Sequence, residues 1–167
     1  MKTSPGQGIL LKSDYELRLS GWCDSDWAAC PLTRRSITGW LVFLGGSPIS
    51  WKTKKQPTVA RSSAEAEYRA LAALICELKW LKGLLTCLGI TQDSAMPVFS
   101  DSQSALHLAQ NLVFHERTLF EMLSGTVVGP HVSKSSQLAD IFTKPLGKQS
   151  FEPLLRKLGI CDLHAPT

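Results

Sequence analysis

SSAEAEYRALAALICELKWLKGLLTCLG, residues 62–89, carries the strongest periodic signal in the chain. Six of its seven leucines fall at 71, 74, 78, 81, 85 and 88, in alternating steps of three and four, so they line one stripe of an α-helix. Ser62 followed three residues later by Glu65 is a capping box that starts the helix, and Gly89 suits its end. The spacing predicts a helix from Ser63 to Leu88, long enough to cross a small sheet, and its stripe has to pack on something.

Upstream, YELRLSGWC (15–23) alternates with a strand's period of two: Leu17, Leu19, Gly21 and Cys23 share one side, Glu16, Arg18, Ser20 and Trp22 the other. TGWLVFL (38–44) and PISWKTKK (48–55) are β-branched and aromatic runs joined by Gly45-Gly46-Ser47, and the three together read as an antiparallel meander. Downstream, PVFSD (97–101) is a short strand ending in an acid and SQSALHLAQN (102–111) a short helix. The stretch 116–129 fits no element well. TVVGPHV (126–132) reads as a last strand, SSQLADIFTK (135–144) as a helix stopped by Pro145, and SFEPLLRKLGI (150–160) as a surface helix. Three strands, a long helix and then strand-helix units make an α/β fold with a mixed sheet.

The 167 residues, 44% of them hydrophobic, suffice for one sizeable core. A net charge of +4 favours a polyanionic partner only weakly. Five cysteines, without a C-x-x-C pair or histidines at zinc spacing, point to a reduced, intracellular protein in which they pack as small hydrophobes. The N-terminus lacks the apolar core of a signal peptide, and the longest apolar run, 70–76, is too short to span a bilayer.

Several acids have the character that phosphodiester hydrolysis by two metal ions requires, namely carboxylates brought from strand ends and helix starts to one spot. Asp24 ends the first strand, on the side away from Leu17 and Leu19; Asp26 shares that face and competes with it, and a solvated turn acid is the plainer reading of both. Glu67 lies four residues before Leu71 and seven before Leu74, on the buried stripe, where a carboxylate needs a counter-charge. Glu65 faces elsewhere and is explained by the cap, so Glu67 is the better ligand of the two, against a first-turn acid favoured by the helix dipole. Asp101 closes a strand just ahead of a helix, as a ligand or as a cap. Asp140, four residues before Lys144, is either a further ligand or half of an exposed ion pair. His115 and His131 read as loop histidines. Arg34, Arg35, Lys52, Lys54 and Lys55, interleaved with Trp51, form a charged face that also suits a phosphate backbone.

Three blocks, GWCDSDWAACPLTRRSITGWLVFLGGSPISWKTKKQPTVARSSAEAEYRAL (21–71), FSDSQSALHLAQNLVFHERT (99–118) and SQLADIFTKPL (136–146), together resemble the ribonuclease H domain at the C-terminal end of plant Ty1/copia-type retrotransposon Pol polyproteins. The blocks occur in the family's order and cover nearly the whole chain. The resemblance implies a ribonuclease H-like fold, a mixed five-stranded sheet flanked by helices, over 15–146, between an N-terminal segment 1–14 and a C-terminal helix and tail 147–167. It implies Mg²⁺-dependent cutting of the RNA strand of an RNA/DNA hybrid, by two ions for which Mn²⁺ can substitute. It also implies a reverse transcriptase domain in the parent polyprotein. Carried over by position, Asp24, Glu67 (within AEYRAL), Asp101 and Asp140 (within QLAD) become both catalytic residues and metal ligands. His131 falls near the mobile histidine of cellular relatives.

One departure stands against these matches. Between Arg117-Thr118 and the last strand the family usually carries a segment resembling HIEIDCHFVRE, whereas this chain reads LFEMLSGTVVGPHV (119–132). An internal deletion of one helix before the last strand is expected. The sequence therefore leaves open an alternative to the nuclease: a domain that no longer cuts and serves as a nucleic-acid-binding or protein-interaction module. Displacement of Asp140, with the other acids in place, is the feature that would favour it.

Overall fold

Alternation in the central strands sorts the sheet's two faces. The computed structural model describes residues 6–13, 16–110, 121–122 and 124–162. Along these run β1 (Gln7–Ile9), β2 (Leu19–Asp26), β3 (Ile37–Leu44), β4 (Ser47–Lys55), α1 (Ser63–Cys87), β5 (Met96–Phe99), α2 (Gln103–Gln110), β6 (Val127–Val128), α3 (Lys148–Lys157) and β7 (Ile160–Asp162). Five strands form one sheet in the order β4-β3-β2-β5-β6. The β2-β3-β4 meander is antiparallel, and β5 and β6 join parallel to β2, so the sheet is mixed as the sequence predicts.

Trp40 and Val42 of β3 join Leu19 and Cys23 of β2 on the face that receives Leu71, Leu74, Leu78, Leu81 and Leu85 of α1. Leu41 and Phe43 point the other way, onto Leu138, Leu154 and Leu158. This is the period of two at work on a sheet covered on both sides. Gly21 lets α1 come close: a Cβ there would lie 2.8 Å from Leu74 Cδ1. The helix starts as its cap predicts, with Ser62 Oγ accepting from Glu65 N at 3.1 Å, while the Glu65 carboxylate reaches back to Arg61 N at 2.7 Å. The leucine stripe ends one residue early. Leu88 is the C-cap and is exposed, and Gly89 turns the chain at φ +80°.

Four local expectations change. β2 begins at Leu19 rather than at 15, because the Gln92 amide takes the hydrogen bonds on either side of Arg18, donating to Leu17 O at 2.6 Å and accepting from Leu19 N at 2.9 Å. The last expected strand shrinks to Val127–Val128 and a single parallel bridge between Ser100 and His131. The expected 135–144 helix is two 3-10 turns, Lys134–Ser136 and Leu138–Phe142. Gln137 between them is extended and buried, its amide donating to Cys23 O at 3.0 Å and accepting from Ala139 N at 3.2 Å, and Pro145 disfavours helical backbone at Lys144. Finally, the C-terminal segment is packed rather than superficial. Leu154 and Leu158, one helical turn apart, are buried against Leu41 and Phe43, and β7 pairs antiparallel with β1.

Of the cysteines only Cys23 is buried; Cys76, Cys87 and Cys161 are exposed, so most do not pack as core hydrophobes. His115 and residues 111–120 and 123 lie outside the described residues, and with them the expectation of a missing helix. At the edge of that stretch Glu121 is buried and ion-paired with Lys79 at 2.5 Å, and Met122 packs on the main core. Among the described residues no helix is long and apolar enough to cross a membrane.

Candidate metal centre

Two parallel strands and a helix start deliver three acids to one point. β2 and β5 pair Trp22 with Phe99, whose rings stack with centroids 4.3 Å apart. Asp24 and Asp101 each follow two residues later, and equal offsets on parallel strands bring them out at the same sheet end. Glu67, in the first turns of α1, leans over that end, and Ser25 N donates to its Oε1 at 3.2 Å. Asp24, Glu67 and Asp101 each offer a carboxylate oxygen, and these atoms all lie within 4.8 Å of one another.

The electrostatics follow from crowding acids beside a dry core. The Glu67 carboxyl is pushed up to about 8, first by burial and then by the charge of Asp24, with the Ser25 hydrogen bond opposing and Asp101 adding to the rise. Its Oε2 is shut off from solvent with no hydrogen-bond partner among the described residues, as is Ser25 Oγ. Cys23, fully buried next door, is held well above the ordinary thiol range by burial and then by Glu67, Asp24 and Asp101. A buried carboxylate oxygen without a donor is costly, and a cation would satisfy it. The donors are all carboxylate oxygens, the preference of a hard divalent cation. Two oxygens on one such ion, each about 2.1–2.5 Å from it, lie at most about 5 Å apart. The three acids fit one ion on both counts.

Asp24 is only 1% exposed and is gripped from the far side of the sheet. Thr143 donates its hydroxyl to Asp24 Oδ2, and Lys144 Nζ lies 3.2 Å from Oδ1. The same ammonium is 2.6 Å from Asp140 Oδ1. Asp140 thus stands beside the cluster but outside the group of three, in the i,i+4 pair that its spacing predicts, although the pair is partly buried rather than fully exposed. Burial raises the Asp140 carboxyl above its ordinary value, the hydrogen bond from Lys144 offsetting part of that. Burial alone would lower the Lys144 ammonium; the hydrogen bond to Asp140 and the charge of Asp24 outweigh it and raise it above the ordinary lysine range. Gly39, the register partner of Asp24 on β3, makes this approach possible: a Cβ there would lie 2.6 Å from Thr143 Cγ2 and 2.8 Å from Phe142 Cβ.

The competing acids go elsewhere. Glu65 pairs with Arg69 at 2.7 Å, and Asp26 is not part of the group of three. His131 sits beside the cluster, its Nε2 3.2 Å from Asp101 O. Thr143 and the contact of Lys144 with Asp24 escaped the sequence reading, since each spans more than a hundred residues of chain. Strand parity separates Lys52 and Lys54 from Trp51, and Lys55, at the end of β4, joins the lysines. Lys52, Lys54 and Lys55 line, with Arg69, Thr38 and Trp40, a groove of about 640 Å³, while Trp51 faces Leu41, Phe142 and Ile160 on the opposite side. Trp51 therefore does not interleave with the lysines; Arg34 and Arg35 are exposed in the β2-β3 loop.

No protein-family model matches the chain. Its sequence is 40% identical to the retrovirus-related Pol polyprotein from transposon RE2 of Arabidopsis thaliana, over 94% of this chain and 12% of that one. A second Arabidopsis thaliana relative, the retrovirus-related Pol polyprotein from transposon RE1, is 39% identical over 94% of this chain and 11% of its own length. The chain thus spans only a small part of the curated relatives that it matches. Among solved structures, LC11-RNase H1 in complex with an RNA/DNA hybrid superposes with a TM-score of 0.54 at 16% identity, covering 75% of this chain and 94% of that one, which establishes the fold.

Proposed function

We propose, from the premise that this chain is homologous to one segment of plant Ty1/copia Pol polyproteins and has the ribonuclease H fold, that it hydrolyses the RNA strand of RNA/DNA hybrids. The observation that carries this reading is the convergence of Asp24, Glu67 and Asp101 within 4.8 Å, with a buried Glu67 oxygen that lacks a partner. These three carboxylates would hold a divalent cation, Mg²⁺ by the chemistry of the donors with Mn²⁺ as a substitute. When bound, it supplies Lewis-acid polarisation of the phosphodiester and an activated water.

The chain's own residues do the positioning. Thr143 and Lys144 fix Asp24, and Ser25 N–H fixes one Glu67 oxygen while the other is buried without a hydrogen-bond partner among the described residues. Both devices reduce the reorganisation needed when the site is filled. Asp140 and His131 stand at the rim, within reach of a substrate laid across the sheet end. The groove lined by Lys52, Lys54 and Lys55 offers positive charge to a phosphate backbone, and the hybrid partner follows from this reading.

A second reading is favoured by one observation: Asp140 is tied to Lys144 and lies outside the group of three. In that reading the domain binds nucleic acid without cutting it. Incubation of the purified chain with Mg²⁺ and an end-labelled RNA/DNA hybrid separates the two. Cleavage that falls by two orders of magnitude or more in Asp24→Asn, with binding retained, is the expected result for the nuclease, by analogy with the loss of other essential catalytic groups. Intact hybrid after incubation with folded protein refutes it.

A further inference from the structure

The resemblance implies two metal ions, yet the four acids do not form one group. Three converge, while Asp140 is joined to Asp24 by the ammonium of Lys144, 2.6 Å from one carboxylate and 3.2 Å from the other. We propose that Lys144 is a built-in cation standing between Asp24 and Asp140 in place of a second divalent ion, so that the site loads a single metal.

The surroundings are built to hold the ammonium there. Asp24 is 1% exposed and the Lys144 side chain 35%, so the contact is shielded from solvent at its carboxylate end. The turn that carries Lys144 is pinned twice. Gln137 ties its start to Cys23 O, and the missing side chain of Gly39 lets Thr143 lie directly over the strand that pairs with β2. Pro145 then restricts the backbone of Lys144 itself. An ammonium is a compact point charge with three donors, two of them spent on these carboxylates. A divalent ion entering between Asp24 and Asp140 would have to displace it or share the carboxylates with a like charge. Of the three-acid group the ammonium touches only Asp24, at Oδ1, while the free oxygen of Glu67 has no donor among the described residues.

The proposal rests on the reading of the three acids as a metal site, and Mn²⁺ alone serves as the probe for both. Free Mn²⁺ is followed by electron paramagnetic resonance as it is titrated into the full chain. The wild type is expected to bind one ion per chain, Lys144→Gln two, and Lys144→Arg one. Asp140→Asn is also expected to keep one, which gives an answer even where Lys144→Gln fails to fold. Two ions on the wild type, one on folded Lys144→Gln, or a loss of bound ion in Asp140→Asn each overturns the role of Lys144 and leaves the three-acid site standing. No ion on the wild type removes the metal site itself, and this proposal with it.

Discussion

Replacing Glu67 with Gln isolates the cost of the crowded carboxylates. In metal-free protein the Glu67 carboxyl titrates near 8 instead of 4.5, chiefly through burial. A carboxyl whose folded value is raised contributes stability that is complete below the unfolded value and is lost as pH rises through the folded one. About 3 kcal/mol of that contribution has gone by pH 7, and about 5 kcal/mol above the folded value. Gln cannot ionise, and its carbonyl oxygen keeps the hydrogen bond from Ser25 N. Urea unfolding in chelator, followed by circular dichroism at a series of pH values, is therefore expected to find the two proteins nearest in stability below pH 4.5. The variant should be the more stable by about 3 kcal/mol at pH 7, a difference of roughly 6–12 °C in melting temperature for a domain of this size. Asp140 titrates in both proteins, so its effect cancels in the difference. Excess Mg²⁺ should reverse the order near pH 8, since a cation binds the ionised form and stabilises only the state that holds it. Parallel pH profiles for the two proteins in chelator would refute the reasoning.

Gly39→Ala puts a Cβ 2.6 Å from Thr143 Cγ2 and 2.8 Å from Phe142 Cβ, and the turn has to shift. The expected cost is about 1–3 kcal/mol in chemical denaturation. Binding of at least one Mn²⁺ should survive, because Asp24, Glu67 and Asp101 are carried by β2, α1 and the end of β5 rather than by that turn. Leu74→Ala removes a fully buried side chain that rests on Gly21, with an expected loss of about 2–5 kcal/mol measured the same way. An unchanged denaturation midpoint would show that the helix does not seat on β2 as described.

Where sequence and structure agree, the information was periodic and local. The leucine stripe of α1 and the alternation of β3 each encode which side is dry, and a buried face enforces both. Leu88 fits the stripe by number and misses it in space, because the helix has already ended and its side chain is left exposed. The segment around Asp140 misled for a related reason. Its apolar spacing satisfies a helix, but Gln137 finds better partners in Cys23 O and Ala139 N than a continuous helix would offer, and tertiary hydrogen bonds overrode the local pattern. Nothing near Leu17 announces that Gln92, seventy-five residues away, will take its carbonyl and shorten β2.

The acids divide along the same line. Glu67 was legible because its position on the helix stripe requires a carboxylate to point at the core, and its raised pKa is the physical signature of that placement. Asp24 and Asp101 had no such local mark; their meeting depends on the parallel pairing of β2 with β5, which sets Trp22 opposite Phe99. For Asp140 the spacing offered a pair with Lys144 beside the ligand role; the pair is formed, but it acts through a third partner that the spacing cannot name. Asp24 is 119 residues from Thr143 and 120 from Lys144, and Gly39 is the residue whose lack of a side chain lets the two segments touch. A glycine inside a β-branched and aromatic strand was therefore the sequence signal to follow, because such a residue marks a place where another part of the chain comes close. Here that other part is the turn bearing Lys144, whose charge decides how many cations the remaining acids can hold.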